Sequence, residues 1–558
     1  MRRGPFECLA AHLHRETVKE SKSKAMRNKH LLLGLLILFL SALRVEAATY
    51  TVKAGGGGSF ATIQACANAA VAGDTCVVYA GTYNESPALN TSGSSGSPIT
   101  FSVNPGDCVT VKGFQLNSVS YVTIGTPNSS HCSNGGLTYS GFEITGASIN
   151  WTQIHNVTVQ NNYIHDVSDM CLAGPGTTSS GASTYVYVLN NTLTSCGGPN
   201  GLAGGIAVEG NHWLIDGNTI SHVEDGIYLY GAYMVVRNNR FGPITAAEQG
   251  SNHPDAIEST CTAGSDYPLQ HMLFEGNTIQ DWRSPDGHGL LLRDTQSCGM
   301  TDNVMRFNSF INVGSYWTSN ETNSFNQLWY NNSSNNTEAD FSPKEFSNLT
   351  FTQGDTGANV INNSLANDWS ATPYCIYLDG SATSGFVENH NACFLSGFSG
   401  TWQNPSGPYS STDIFNQDPK YVNVNSDLHL QSGSPLIGKG GPLTTAVSSG
   451  AASTSLSVAN ASFFSDGYGL TGVQPDWVRI GPSATAQISS VNYSTKVITL
   501  ATPASWSSGA AVYLYKNSVG TIVLTGANPD IGAFPSGVAS APGSQPPLPP
   551  TNLQATPK

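Results

Sequence analysis

The chain has 558 residues, 39% of them hydrophobic and only 11% charged, with a formal net charge of -14. Soluble proteins average about 25% charged residues, so this composition excludes a chain built mainly of surface helix or coiled coil, and the apolar content excludes wholesale disorder. An acidic chain without a basic stripe cannot displace counterions from a phosphate backbone, which excludes nucleic acid as a partner.

The N-terminus carries an apolar run, Leu31 to Leu43 (LLLGLLILFLSAL), behind Arg27 and Lys29 and ahead of Val45-Glu46-Ala47. This pattern predicts a secretory signal peptide cleaved after Ala47, and hence a secreted, periplasmic or extracellular protein. A membrane span needs about 20 apolar residues and is not expected. Met26 stands where such a peptide normally begins. The leader holds nine of the 23 basic and four of the 37 acidic residues, so the exported chain carries 14 against 33, a net of -19. With Cys8 removed, ten cysteines remain, and an even number in an exported chain predicts disulfides. Sequence-adjacent pairing (66–76, 108–132, 171–196, 261–298, 375–393) is the simplest arrangement, although spacing does not fix connectivity. No Cys-x-x-Cys is present to suggest zinc or dithiol chemistry.

Helical periodicity over Phe60 to Ala72 predicts a short helix that caps the segment C-terminal to it. From there the sequence repeats: VTVQNNYI, VYVLNNTL, WLIDGNTI, MVVRNNRF, MLFEGNTI, NVMRFNSF and NVINNSL each join a short β-rich run to Asn, a variable residue and an apolar one. The Asn falls at 162, 191, 218, 239, 277, 308 and 363, with weaker members at 332 and 391, a mean period of 28.6 residues. A fixed period in the range of about 20–50 residues marks a solenoid or propeller. Short alternating strands exclude helical solenoids, and the period is too short for a four-stranded blade. Two or three strands per coil, stacked about 4.8 Å apart, predict a β-helix. Asn suits its corners because it tolerates left-handed backbone and its amide can bond the copies above and below. An exposed solenoid end is an unpaired strand edge, which is why a cap is expected.

The opening FATIQACANAAVAGDTCVVYAGTY, the Asn repeat, and the endings DLHLQSGSPLIGKG and PDIGAF resemble secreted right-handed parallel β-helix proteins of the pectin-lyase-like type. The resemblance covers roughly 49–445 and implies the all-β fold rather than one activity, since that fold hosts many. Residues 446–516 read as alternating strands without the Asn repeat, a small β-module; 517–536 read as a final β segment and 537–558 as a Pro-rich linker.

Ionisable residues are scarce, so their clustering is informative. Arg237, Arg240, Arg283, Arg293 and Arg306 share one window with the densest acidic and His motifs. HVEDGIYLYG (222–231), NHPDAIEST (252–260) and PDGHGLLLRD (285–294) align Asp225, Asp255 and His288 in one column, with Asp286 two residues earlier. A column of acids about 4.8 Å apart could act as acid and base on a glycosidic bond, and crowding raises carboxyl pKa values toward those of a general acid. The order is similar to that of the polygalacturonase family of glycoside hydrolases, whose motifs are Asn-Thr-Asp-Gly, Asp-Asp, Gly-His-Gly and Arg-Ile-Lys. Glu224-Asp225-Gly226, Pro254-Asp255-Ala256 and Gly287-His288-Gly289 would fill the first three places. The departures are Pro254 in place of the paired Asp and the lack of Arg-Ile-Lys.

The resemblance favours a polysaccharide hydrolase that requires no cofactor, with Asp255 as general acid, Asp225 activating water, and Asp286 and His288 in the same catalytic group. His253, Glu258, Arg283, Arg293, Trp282, Tyr228 and Tyr230 would bind substrate, with Tyr316 and Trp317 as further stacking platforms. The alternative is a lyase: Asp225, Asp255, Glu258 and Asp286 would hold calcium, as β-helix lyases do, and Arg283 or Arg293 would take the proton. A bridging cation would also offset repulsion between an acidic protein and an acidic polymer. His253-Pro254-Asp255 is loosely similar to a uronan epimerase motif, in a different order. A third reading is a non-catalytic glycan-binding or surface protein, in which the acids merely cap turns; Asp166 and Asp169 are read that way. A monomer is expected.

Overall fold

In a computed structural model, the described residues are 46–537, less 127–131, 135, 175–182, 198–203, 245–253, 262–267, 284–286, 295–298, 314–315, 322–323, 336–346, 352–353, 368–373, 379–383, 396–402 and 405–409. The predicted leader, the Pro-rich tail, His253, Asp286 and the 261–298 pairing therefore lie outside what is described.

The chain forms a right-handed parallel β-helix of three strand stacks. The first stack contains Ile149–Thr152, Ile227–Ala232, Asp255–Cys261, His288–Asp294 and Tyr374–Leu378. The second runs from Thr49–Val52 to Val387–Asn389, and the third from Gly81–Tyr83 to Ile414–Phe415 as a 13-stranded parallel sheet. The first two merge where the 11-residue strand Ile206–Asp216 continues through both. A parallel sheet requires crossover connections, and right-handed crossovers are the strong rule.

The nine Asn residues stand at the corner between the second and third stacks. Each is buried; the first, Asn162, accepts the Phe142 N–H, and each of the other eight accepts from the backbone N–H and amide of the Asn one coil earlier, as at Asn239 to Asn277 (both 3.0 Å) and Asn277 to Asn308 (both 3.0 Å). The left-handed residue is not the ladder Asn, as the sequence suggests, but its predecessor: Asn161, Asn190, Gly217, Asn238, Gly276, Phe307, Asn331, Asn362 and His390. The predecessor turns the chain, which frees the ladder Asn to aim its amide along the solenoid. Asp413 ends the row by accepting the Asn391 N–H at 2.8 Å.

The predicted cap is a helix, Ile63–Ala69, shorter than its periodicity suggests. Thr62 Oγ1 accepts the Ala65 N–H, and the Glu85 carboxylate accepts the N–H groups of Ile63 and Gln64, which satisfies the helix N-terminus. Four of the predicted disulfides are formed: 66–76, 108–132, 171–196 and 375–393.

Residues 444–516 form a six-stranded sheet that packs its apolar side on the outer face of the second stack, where Leu214, Val235, Leu273, Val304 and Leu328 replace polar residues. Charge anchors the contact. Fully buried Arg306 makes a bidentate pair with Asp476 (2.8 Å twice) and also bonds Glu275 (2.5 Å) and the Tyr330 hydroxyl (2.9 Å). The segment 517–536, expected from sequence as a final β segment, makes one antiparallel bridge, Ile522 to Lys516. It crosses the module and the solenoid in irregular conformation, burying Ile531 and Ala533 while Arg479 holds the carbonyls of Gly526 and Ala527.

Candidate functional site

Three consecutive strands of the first stack build the site: β1 (Ile227–Ala232), β2 (Asp255–Cys261) and β3 (His288–Asp294). Asp255 pairs in register with His288, and Ile227 with Ile257, which sets Asp225 beside Asp255. The three column residues are thus stacked as the sequence suggests. Their orientation differs from that of an exposed acid/base pair. Each stands two residues before a core residue (Ile227, Ile257, Leu290), at or just before the start of its strand, where the chain enters the stack. Asp225 is 3% exposed, Asp255 0% and His288 6%.

The buried polar groups are satisfied by a second ladder. The Asp255 N–H donates to Asp225 Oδ1 at 2.8 Å, and the His288 N–H donates to Asp255 Oδ1 at 3.0 Å. His288 Nδ1 lies 2.5 Å from the same oxygen. The Tyr228 hydroxyl donates to Asp225 Oδ2 at 2.5 Å. Glu258, in register with Tyr228, completes the group: one oxygen each of Asp225, Asp255 and Glu258 lie within 4.8 Å of one another. Burial, and then the charge of Asp255, hold the Asp225 carboxyl well above the ordinary carboxylate range. Burial and the nearby carboxylates push the Tyr230 phenol up to about 12 and that of Tyr228 higher still.

Other predicted contributors fall in different places. Arg293 lies on β3 in the alternation phase of Leu291, which is in register with Glu258, so it shares the outer face with Glu258 and the two tyrosines. Arg283 lies just beyond Thr278–Trp282 of the third stack and is paired with Asp281 at 2.7 Å. Trp282 is fully buried, with Nε1 donating to the Pro254 carbonyl at 3.0 Å, so it is a core residue rather than a sugar platform. Arg237 and Arg306 belong to the second stack and hold the C-terminal module, and Arg240 belongs to the third, so the apparent Arg cluster is dispersed over all three faces. The strand Tyr316–Glu321 continues the first stack beside β3. Asp166 sits at a left-handed corner on His165, and Asp169 caps the Met170 N–H, in keeping with turn roles.

The donor set Asp225, Asp255 and Glu258 consists of carboxylate oxygens alone, which suits a hard cation such as calcium and not a thiolate- or imidazole-seeking metal. As a paired acid and base, Asp225 and Asp255 fit poorly. Inverting and retaining glycosidases separate their carboxyl groups by about 6.5–9.5 Å and 5–5.5 Å with the sugar between them. Here the oxygens approach within 4.8 Å and both carboxylates are buried.

No family model and no curated protein sequence matches the chain. Solved structures do resemble it. The PL6 family polysaccharide lyase Pedsa3628 from Pseudopedobacter saltans is 13% identical, with a TM-score of 0.41 over 69% of this chain and 97% of its own. Pectate lyase Pel9A is 14% identical, with a TM-score of 0.33 over 70% and 91%. PfbA, a surface adhesin of Streptococcus pneumoniae, is 11% identical, with a TM-score of 0.38 over 61% and 88%. The described residues contain no helix long and apolar enough to cross a membrane.

Proposed function

We propose that the protein is an exported carbohydrate-active enzyme that cleaves a uronate-containing polysaccharide by β-elimination, with a divalent cation, preferably calcium, held by Asp225, Asp255 and Glu258. The carrying observation is the meeting of three buried carboxylates on consecutive coils, beside an outer face that bears Tyr228, Tyr230 and Arg293. A bound cation would neutralise the uronate carboxylate and so acidify the adjacent C5 proton. The chain's own residues set the geometry. Asp225 and Asp255 are fixed by backbone N–H donors, and Tyr228 holds the second oxygen of Asp225. Arg293, on the outer face beside Glu258, would take the C5 proton and pass it to solvent, while the departing O4 would take a proton from water. Arg283, committed to Asp281, takes no part. His288 acts as a positioning residue through Asp255.

The test is a panel of polygalacturonate, alginate and neutral glycans, read for both reducing ends and ultraviolet absorbance. Elimination breaks the C4–O bond and leaves a C4=C5 double bond, so each new reducing end brings an absorbing product, and Glu258→Gln and chelator should each abolish both signals. Reducing ends without absorbance would replace this reading with hydrolysis. Glycan retention without new ends would replace it with a binding protein.

A further inference from the structure

The outer face of the second stack changes character along the solenoid. Residues in one outward row run Thr100, Thr123, Thr158, Tyr187, Leu214, Val235 and Leu273 on successive rungs. From Leu214 onward the row is aliphatic and covered by the C-terminal module. Before it, Thr100, Thr123 and Thr158 are polar and only partly buried, and Tyr187 adjoins the module through its hydroxyl, which accepts the Thr471 N–H. Where the module ends, its Thr471 and Gly472 form a wall, and the angle between wall and sheet is an open groove of about 750 Å³. Ligand sites commonly enclose about 300–1,000 Å³.

We propose that this groove is a second glycan-binding site, specific for an uncharged oligosaccharide and separate from the carboxylate site on the first stack. Its lining presents hydroxyls and amides, from Thr123, Thr158, Gln160 and Asn190, which both donate and accept as sugar hydroxyls do. Tyr121 and Tyr187 add amphipathic rings able to cover the apolar face of a sugar. The charges in the lining are mutually satisfied: Arg237 bonds Asp216 at 2.8 Å, the Ser518 carbonyl at 2.9 Å and the Gly472 carbonyl at 2.9 Å. A guanidinium so committed forms a wall and leaves no net charge to select a uronate. An ion pair of this kind also offers no free acid and base, so the groove binds without cleaving. Tethering the enzyme to a neutral stretch of polymer would raise the local concentration of cleavable segments at the other face.

The test is isothermal titration calorimetry of the full-length protein with cellohexaose, xylohexaose, mannohexaose and an oligogalacturonate. Tyr187→Ala is unsuited, because the Tyr187 hydroxyl accepts the Thr471 N–H and its loss would disturb the module. Tyr121→Ala and the groove-filling Thr158→Trp avoid that contact. The expected result is binding of at least one neutral hexaose, weakened tenfold or more by Tyr121→Ala and lost in Thr158→Trp, with Glu258→Gln binding like the parent. Failure of the folded parent to bind any neutral hexaose, binding of the oligogalacturonate alone, or unchanged affinity in both groove variants would overturn the proposal. Loss of enzyme activity in Glu258→Gln tests the other site and leaves this result unaffected.

Discussion

The carboxylate group makes a prediction that separates a cation site from a set of turn caps. Two charged carboxylates with oxygens no more than 4.8 Å apart repel by at least about 3.5 kcal/mol at an effective dielectric constant near 20. Glu258 contributes to two of the three pairs. Replacing it with Gln removes charge while conserving shape, so in chelator Glu258→Gln should be more stable than the parent, by about 1–2 kcal/mol once proton uptake by the cluster has relieved part of the repulsion. Calcium should invert that order. At a concentration about 100 times Kd, a ligand of the native state alone stabilises by about 2.7 kcal/mol. The parent should gain that amount and the variant little. Magnesium, which demands tighter octahedral geometry and keeps its waters, should substitute poorly. Thermal unfolding of parent and variant in EGTA, calcium and magnesium reads all of these effects. A parent Tm unmoved by calcium, or a Glu258→Gln variant destabilised equally in EGTA and calcium, would refute the reasoning and leave these acids as structural caps.

Two further predictions concern the solenoid. Asn277→Ala strips partners from the Asn239 N–H, the Asn239 amide and the Val236 carbonyl at once, all buried, so it should cost about 3 kcal/mol in urea unfolding, and a loss below about 1 kcal/mol would show that the ladder relaxes around the gap. At the ladder's end, burial and the neighbouring Glu388 raise the Asp413 carboxyl to about 8. Its folded-state pKa thus exceeds its unfolded value, so its contribution to stability is full below about pH 4 and declines as pH rises through about 8. Asp413→Asn should flatten that decline, and a parent-like pH profile in the variant would contradict the pairing.

The repeat is legible in the sequence because one residue type performs one backbone task in every coil, so Asn recurs with the period itself. Four cysteine pairs are legible because their members stand 10 to 25 residues apart, within about one coil. The Asp225–Asp255–His288 column follows from the same period. Its burial also lies within reach of counting, since Asp225 and Asp255 each stand two residues before a core Ile, as Asn218 and Asn277 do in the Asn ladder. The same count separates the arginines. Arg237 and Arg306 each precede a ladder Asn by two residues, the position of Asp216, Glu275 and Tyr330, and so must project from the second stack. Their partners cannot be read this way: Asp476 reaches Arg306 across 170 residues, and no local pattern encodes a contact between a solenoid face and a module that folds onto it. Trp282 departs from its expected role because an aromatic at a strand end suits core and sugar platform equally, and only the Pro254 carbonyl beside its Nε1 decides between them.

The two ladders perform the same backbone task with different chemistry, and that difference bears on function. At the corner between the second and third stacks, neutral Asn side chains cap the N–H groups of neighbouring coils without electrostatic cost. At the start of the first stack, Asp225 and Asp255 cap the Asp255 and His288 N–H groups in the same manner, although an amide oxygen would accept equally well. Capping alone therefore does not account for the charge, which burial and mutual repulsion both oppose. Glu258 makes the opposition greater, because it adds a third negative group. On the cation reading proposed above, a positively charged occupant would offset that opposition. Asp225→Asn isolates this point: it retains the cap on Asp255, so its loss of calcium response with an intact fold would assign the charge to binding and the geometry to the solenoid.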